Sequence, residues 1–168
     1  KKTKAIMTVD IFGQSEAIDE IKKIIKNKNI KIISDAAQSP YAFYKKKFAG
    51  TLGDIGGYSL NYHKHINTGE GGIVVTNNKN LADRTRLIRN HAESSISKFS
   101  SRNELSNMIG YNFRLGEIEA AIGIEQLKKL KKIVLYRQKL ANILTSGLCK
   151  LQGLKVPYVR PNCTHVYY

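Results

Sequence analysis

Lys64 lies in the run Ser59-Leu60-Asn61-Tyr62-His63-Lys64-His65-Ile66-Asn67-Thr68-Gly69-Glu70-Gly71-Gly72. It follows a strand-like stretch, two histidines flank it, and a glycine turn comes next. That is not the setting of an ordinary solvated lysine. An amine that acts as a nucleophile must be partly deprotonated near neutral pH. Desolvation or neighbouring positive charge, such as a protonated flanking histidine, brings this about. Against that reading, one lysine among 21 is by default a surface residue, and His63 and His65 alone read equally well as exposed or packed.

Asp35 is the second candidate. It ends the apolar run Ile30-Lys31-Ile32-Ile33-Ser34, and α/β folds bind their ligands at the carboxyl ends of strands. The competing reading makes it a helix N-cap for Ala36-Ala37. Ser59 and the Gly69-Glu70-Gly71-Gly72 turn could donate to a phosphate, although such a glycine turn alone carries little. Asn112-Phe113-Arg114 places an amide and a guanidinium before a long helical pattern, which suits an anion; Asn there is also simply a good cap. An amine for a Schiff base, an acid at a strand end and phosphate donors form one consistent set. Pyridoxal phosphate requires such a set, with the acid keeping the ring nitrogen protonated so that the ring serves as an electron sink.

Alternating strands and helices must position these residues. Residues 4–9 form a short apolar strand, and Ser15 is a plausible cap for a helix over 16–28. In that helix Ala17, Ile18, Ile21, Ile24 and Ile25 share one face. Residues 30–34 form a second strand, and strand–helix–strand order predicts a crossover with a parallel sheet. A glycine-punctuated loop spans 45–57, and strands follow at 58–61 and 72–76. Asn78 is a candidate cap for a helix over 79–91, with Leu81, Leu87 and Ile88 on its apolar face. The Ser-rich stretch 94–107 lacks a period and reads as loop. A long helix over 116–148 carries Ile118, Ala121, Ile122, Leu127, Leu130, Val134, Leu135, Leu140 and Leu144, with Gly123 inside it. The fold class is α/β.

The chain has 168 residues, 42% hydrophobic and 24% charged, about one domain able to bury a core. No apolar run approaches the ~20 residues of a membrane span, and no signal-peptide pattern follows Lys1-Lys2. Cys149 and Cys163 make neither a disulfide framework nor a four-ligand metal site. A cytoplasmic protein is the expectation. The net charge of +15 raises a nucleic-acid reading. However, the lysines concentrate on helix faces, and Tyr41, Phe43 and Tyr44 beside Lys45-Lys46-Lys47 are the only aromatic cluster in a basic stretch. The chain begins just before one strand pattern and stops at Val166-Tyr167-Tyr168, inside what reads as another, so it reads as a central piece of something longer.

Several spaced motifs resemble the DegT/DnrJ/EryC1/StrS family of pyridoxal-phosphate-dependent nucleotide-sugar aminotransferases. They are Ile33-Ser34-Asp35-Ala36-Ala37-Gln38-Ser39, Gly53-Asp54-Ile55-Gly56-Gly57-Tyr58-Ser59-Leu60, and Lys64 through Gly72. Arg89-Asn90-His91, Gly110-Tyr111-Asn112-Phe113-Arg114 and Thr164-His165-Val166-Tyr167 extend the resemblance over essentially the whole chain. It implies a fold type I large domain, mainly a parallel sheet flanked by helices, over residues 1–145. Residues 146–168 would then begin a C-terminal small domain. It implies that Lys64 forms the Schiff base and shuttles a proton, that Asp35 pairs with the pyridinium nitrogen, that Gln38 sits near the ring's phenolic oxygen, and that Ser59 binds the phosphate. Asn61 falls where the family often has a substrate-side polar residue. Asn112 would reach the phosphate of the neighbouring subunit's cofactor, and Arg114 the amino donor's carboxylate, which implies an obligate homodimer.

The expected reaction moves an amino group from glutamate or glutamine to a nucleotide-linked keto sugar. A rival within the family is a sugar dehydratase, whose members carry histidine at the lysine's position; Lys64 argues against it. The rival from another class is a basic nucleic-acid-binding domain without cofactor, which rests on charge alone. The family often has His where Asp10 stands. It also places a phosphate loop and a ring-stacking aromatic before the position of Lys4.

Overall fold

The computed structural model describes residues 2–26, 28–92 and 108–168. The Ser-rich stretch 94–107, read as loop, lies outside the described residues. Strand β1 (Ala5–Val9) leads through a short 3-10 turn (Ile11–Gly13) to helix α1 (Ile18–Ile25) and then to β2 (Lys31–Asp35). A small hairpin follows, β3 (Phe43–Tyr44) and β4 (Lys47–Phe48), and then β5 (Ile55–Ser59), β6 (Gly72–Val75), α2 (Lys79–Arg89) and α3 (Glu117–Leu148). The main sheet has the order β1-β2-β5-β6, with β1, β2 and β5 parallel and β6 antiparallel to β5. The α/β class with a mainly parallel sheet is as expected.

Side chains alternate across the sheet. Thr8, Ile32 and Ser34 are buried on the face that receives α1. There Ile18 packs with Ile32 and Leu52, flanked by Ile21, Ile25 and Tyr44. Ile24 does not join them and is 69% exposed. At 100° per residue it lies about 120° from Ile18, outside the stripe of 18, 21 and 25. The cap expected at Ser15 is absent: the helix begins two residues later, its cap position is Ala17 with no side-chain bond, and Ser15 Oγ donates to the Glu16 carbonyl instead. The Asn78 cap is present, accepting from Leu81 N–H at 3.1 Å.

A second core joins Ala42, Ala49, Leu60, Ile66, Leu130, Val134 and Val166. It pins α3 and residues 165–168 to the loop that carries Lys64. Gly123 belongs to this contact, because a Cβ there would come 3.2 Å from Thr68 Cγ2, so the missing side chain lets the helix approach the loop. Most of the long helix's apolar residues are not covered; Ile118, Ile122, Leu127, Leu135, Leu140 and Leu144 are all exposed.

Three local expectations are corrected. The stretch 45–57 is not all loop: Lys45 and Lys46 take left-handed φ of 47° and 65° and close the β3–β4 hairpin. Lysine carries no signal for that turn, which ordinarily takes Asn-Gly. The strand expected at 58–61 runs from Ile55 instead, through Gly56 and Gly57. A Cβ at Gly56 would overlap the Gly50 carbonyl, so Gly56 serves a close backbone approach, and neither glycine breaks the strand. Val166–Tyr168 is not a strand; only an isolated bridge joins Gln14 to His165.

Candidate active site

The parallel strands β2 and β5 end side by side, with Asp35 in register with Gly57 and Ser59 two residues further on the same face. Asp35 and Ser59 accordingly line one cavity of about 340 Å³ at the carboxyl edge of the sheet, together with Met7, Ile33, Ala37 and Gly71. Asp35 Oδ1 accepts the Ala37 N–H at 3.0 Å, so the acid caps a turn, not a helix. Its Oδ2 has no hydrogen-bond partner among the described residues. Ser59 Oγ accepts the Asn61 N–H at 3.2 Å, which leaves its own hydrogen to donate.

The loop beyond β5 is closed by short polar bonds. Asn61 Nδ2 donates to Glu70 Oε1 at 2.6 Å, Thr68 Oγ1 donates to the Glu70 carbonyl at 2.8 Å, and Leu60 N–H donates to the Gly71 carbonyl at 2.8 Å. Within that loop Lys64 is half-buried and its Nζ lies 3.2 Å from the Tyr168 hydroxyl. The flanking histidines differ. His63 is exposed, whereas His65 is 5% exposed with Nε2 at 3.1 Å from the Val166 carbonyl. Burial pushes the His65 imidazole below its ordinary range, more than the Val166 carbonyl raises it, and Arg137 and Lys64 add to the depression. His65 is therefore neutral at pH 7, and the expected protonated neighbour for the lysine is not this residue.

Gln38 is turned to the backbone, its Oε1 accepting the Phe12 N–H at 2.7 Å while its amide nitrogen stays available. Asp10 is fully buried and accepts from Glu16 N–H at 2.8 Å and from Ser39 Oγ at 3.4 Å. It holds the start of α1. Asn112 and Arg114 do not open the long helix as expected. Asn112 bridges Asn90, Arg114 Nη1 donates to Asn90 Oδ1 at 2.7 Å, and the helix starts at Glu117. Neither lines the Asp35–Ser59 cavity, and both are exposed. A larger cleft of about 740 Å³ between β6 and α2 is lined by Arg86 and Arg89; of the sequence candidates, Gly72 and Phe113 reach it, while Asp35, Ser59, Lys64, Asn112 and Arg114 do not. The partner that sequence reading missed is Tyr168, which touches Lys64 from 104 residues away with no local pattern to announce it. The basic aromatic cluster is packed on itself: Tyr41, Phe43 and Phe48 pack ring against ring, and Tyr44 and Lys45 both reach Asp19.

The donor set fits pyridoxal phosphate. A carboxylate oxygen without a partner suits a ring N–H, a serine hydroxyl with a free hydrogen suits a phosphate, and a lysine amine on the adjoining loop suits an aldehyde.

Known proteins resemble this chain in sequence and in fold. The GDP-perosamine synthase of Caulobacter vibrioides is 34% identical over 99% of this chain and 44% of its own length. The UDP-4-amino-4,6-dideoxy-N-acetyl-beta-L-altrosamine transaminase of Campylobacter jejuni is 34% identical over 97% of the chain and 43% of its own length. The structure of E. coli GDP-4-keto-6-deoxy-D-mannose-3-dehydratase with bound hydrated pyridoxal phosphate superposes with a TM-score of 0.86 at 33% identity, covering 99% of this chain and 46% of that one. The chain thus spans less than half the length of the curated relatives it matches. The model of one family matches residues 1–168. That match assigns the chain: it belongs to the DegT/DnrJ/EryC1/StrS aminotransferase family, whose cofactor is pyridoxal phosphate.

Proposed function

We propose that this chain is the cofactor-binding part of an aminotransferase that moves an amino group from glutamate or glutamine to a nucleotide-linked keto sugar in the cytoplasm. The observation that carries the reading is Asp35 and Ser59 sharing one cavity at the sheet's carboxyl edge, with Lys64 on the loop that leaves it. When bound, pyridoxal phosphate supplies an aldehyde and a ring that takes up the electron pair released at the substrate's α-carbon. Asp35 Oδ2 would accept the ring N–H and keep that proton in place. Ser59 Oγ would donate to the phosphate. Gln38 would offer its amide N–H to the ring oxygen. Lys64 is the amine that would hold the aldehyde carbon, water leaving as the bond forms, and when free it would carry the proton to and from the substrate carbon. Asn61, held by Glu70, presents a polar edge to the substrate.

Asn112 and Arg114 act on the site of a second copy, since both are exposed away from the Asp35–Ser59 cavity. Asn112 meets the phosphate there and Arg114 the donor's carboxylate. Residues 1–145 belong to the large domain, and 146–168 begin the small one. The dehydratase reading has support from the E. coli neighbour. A lysine at position 64 favours transfer, because an amine can both hold the cofactor and return a proton.

The test is capture of the cofactor. The chain mixed with pyridoxal phosphate gains a visible band that borohydride fixes, and the added mass maps to the Lys64 peptide. Lys64→Ala loses both. A wild-type chain that takes no label at Lys64 sinks the reading.

A further inference from the structure

The Lys64 amine has a made-to-measure seat that the family assignment does not require. Its Nζ lies 3.2 Å from the Tyr168 hydroxyl and 4.6 Å from the centre of the Tyr168 ring. Both the hydroxyl and the ring face are thus within range of one ammonium. The seat is held from several sides. Val166 N–H donates to the Gly13 carbonyl at 2.8 Å and Tyr168 N–H to the Phe12 carbonyl at 3.1 Å. From α3, Arg137 donates to the Tyr167 carbonyl at 2.9 Å and Gln138 to the His165 carbonyl at 2.9 Å. His65 reaches the Val166 carbonyl at 3.1 Å from the residue next to Lys64; a carbonyl only accepts, so Nε2 carries the hydrogen. Val166 itself is fully buried in the core. Tyr167 adopts a left-handed φ of 52°, a conformation non-glycine residues hold only where the surroundings impose it. A segment tied down at five carbonyls and amides, with a forced backbone, presents one ring to one amine.

We propose that Tyr168 is the resting dock of the Lys64 amine, and that His65 is the latch holding Tyr168 there. This rests on the proposed function: in an aminotransfer cycle the lysine is free whenever substrate occupies the cofactor, and a four-carbon side chain left loose loses its aim. The hydroxyl accepts an N–H from Nζ and the ring carries the charge, so the amine waits in one place between the steps that use it. Tyr168 and His65 are positioning residues in this account.

The dock is read without cofactor. The full chain is trace-labelled with acetic anhydride at pH 7.5, and modification of the Lys64 peptide is compared with that of the exposed Lys155. Tyr168→Phe keeps the ring and every backbone bond of the segment but removes the hydroxyl. Lys64 labelling is expected to rise roughly three- to tenfold over Lys155, the change that follows from losing one ordinary hydrogen bond. His65→Leu is expected to raise it similarly. His65→Gln, whose amide can still donate to Val166, stays at the wild-type ratio. An unchanged labelling pattern at the other lysines shows that each variant is folded. Unchanged Lys64 labelling in Tyr168→Phe overturns the dock, and equal rises in His65→Gln and His65→Leu overturn the latch. The dock fails or stands independently of cofactor capture: a rise in Tyr168→Phe in a chain that takes no pyridoxal phosphate keeps the dock and removes only its proposed use.

Discussion

His65 and His165 both sit where a charge is costly. Burial depresses both imidazoles, His65 with help from Arg137 and Lys64. His165 is further committed, because its Nδ1 accepts the Tyr167 N–H at 3.0 Å and so must carry a lone pair. The unfolded chain binds these two protons more readily than the folded one. Their contribution to stability is therefore present in full above the unfolded value of about 6.5 and is lost as pH falls through the lower folded values. Thermal melts are expected to hold a constant midpoint from about pH 8 to about pH 7 and to decline below about pH 6.5. His65→Gln should flatten part of that decline. An acid limb of the same depth in wild type and in the His65→Gln, His165→Gln double variant would assign it to other groups.

At the scale of elements, the site depends on how closely β5 can pass the segment that follows the hairpin. Gly56 lies against the Gly50 carbonyl, and Gly50 itself has φ 78° with Ala36 and Tyr58 crowding the place of a side chain. Tyr58 closes the contact by donating to the Ala49 carbonyl. Gly56→Ala must therefore push β5 away from its neighbour, and Ser59 goes with it. We expect a loss of about 3 kcal/mol or more in urea unfolding, the upper end of overpacking costs, because the obstructing group is backbone and cannot rotate aside. Gly57→Ala is the control: the nearest atom to its Cβ would be the Ile73 carbonyl at 3.8 Å, an ordinary contact, and its cost should be well below that of Gly56→Ala.

For the whole molecule, the exposed apolar surface is the dominant feature. Along α3 only Leu130 and Val134 are buried, while six other aliphatic positions of its pattern are open. Tyr111 and Phe113 stack on each other at 5.0 Å beside Arg114, and both are exposed. Exposed apolar surface of this extent marks an interface. With Arg114 and Asn112 proposed to act on a second copy's site, a homodimer is the expected state. Light scattering on the eluting chain should give twice the 18.9 kDa chain mass. Phe113→Glu should shift it to the monomer. A wild-type chain that elutes as a monomer at micromolar concentration removes the shared site from the proposed function.

What the sequence by itself determined is local. The α1 stripe of Ile18, Ile21 and Ile25, the Asn78 cap, the strand ending in Asp35, and the lysine loop after Ser59 each depend on residues within a few positions of one another. Periodicity and capping report such contacts directly. The motif resemblance reached further because it carries spacing that no local rule explains. Only the tertiary structure decided the rest. It placed β6 antiparallel at the sheet edge, set Lys45 and Lys46 in a left-handed turn, buried Asp10 as a backbone acceptor, and neutralised His65. Above all it laid Tyr168 on Lys64. Those outcomes depend on which strands lie side by side and on the segment 165–168 being strapped between the core at Val166 and the Phe12–Gly13 turn. Neither a helical nor a strand period encodes a contact between residues 104 positions apart.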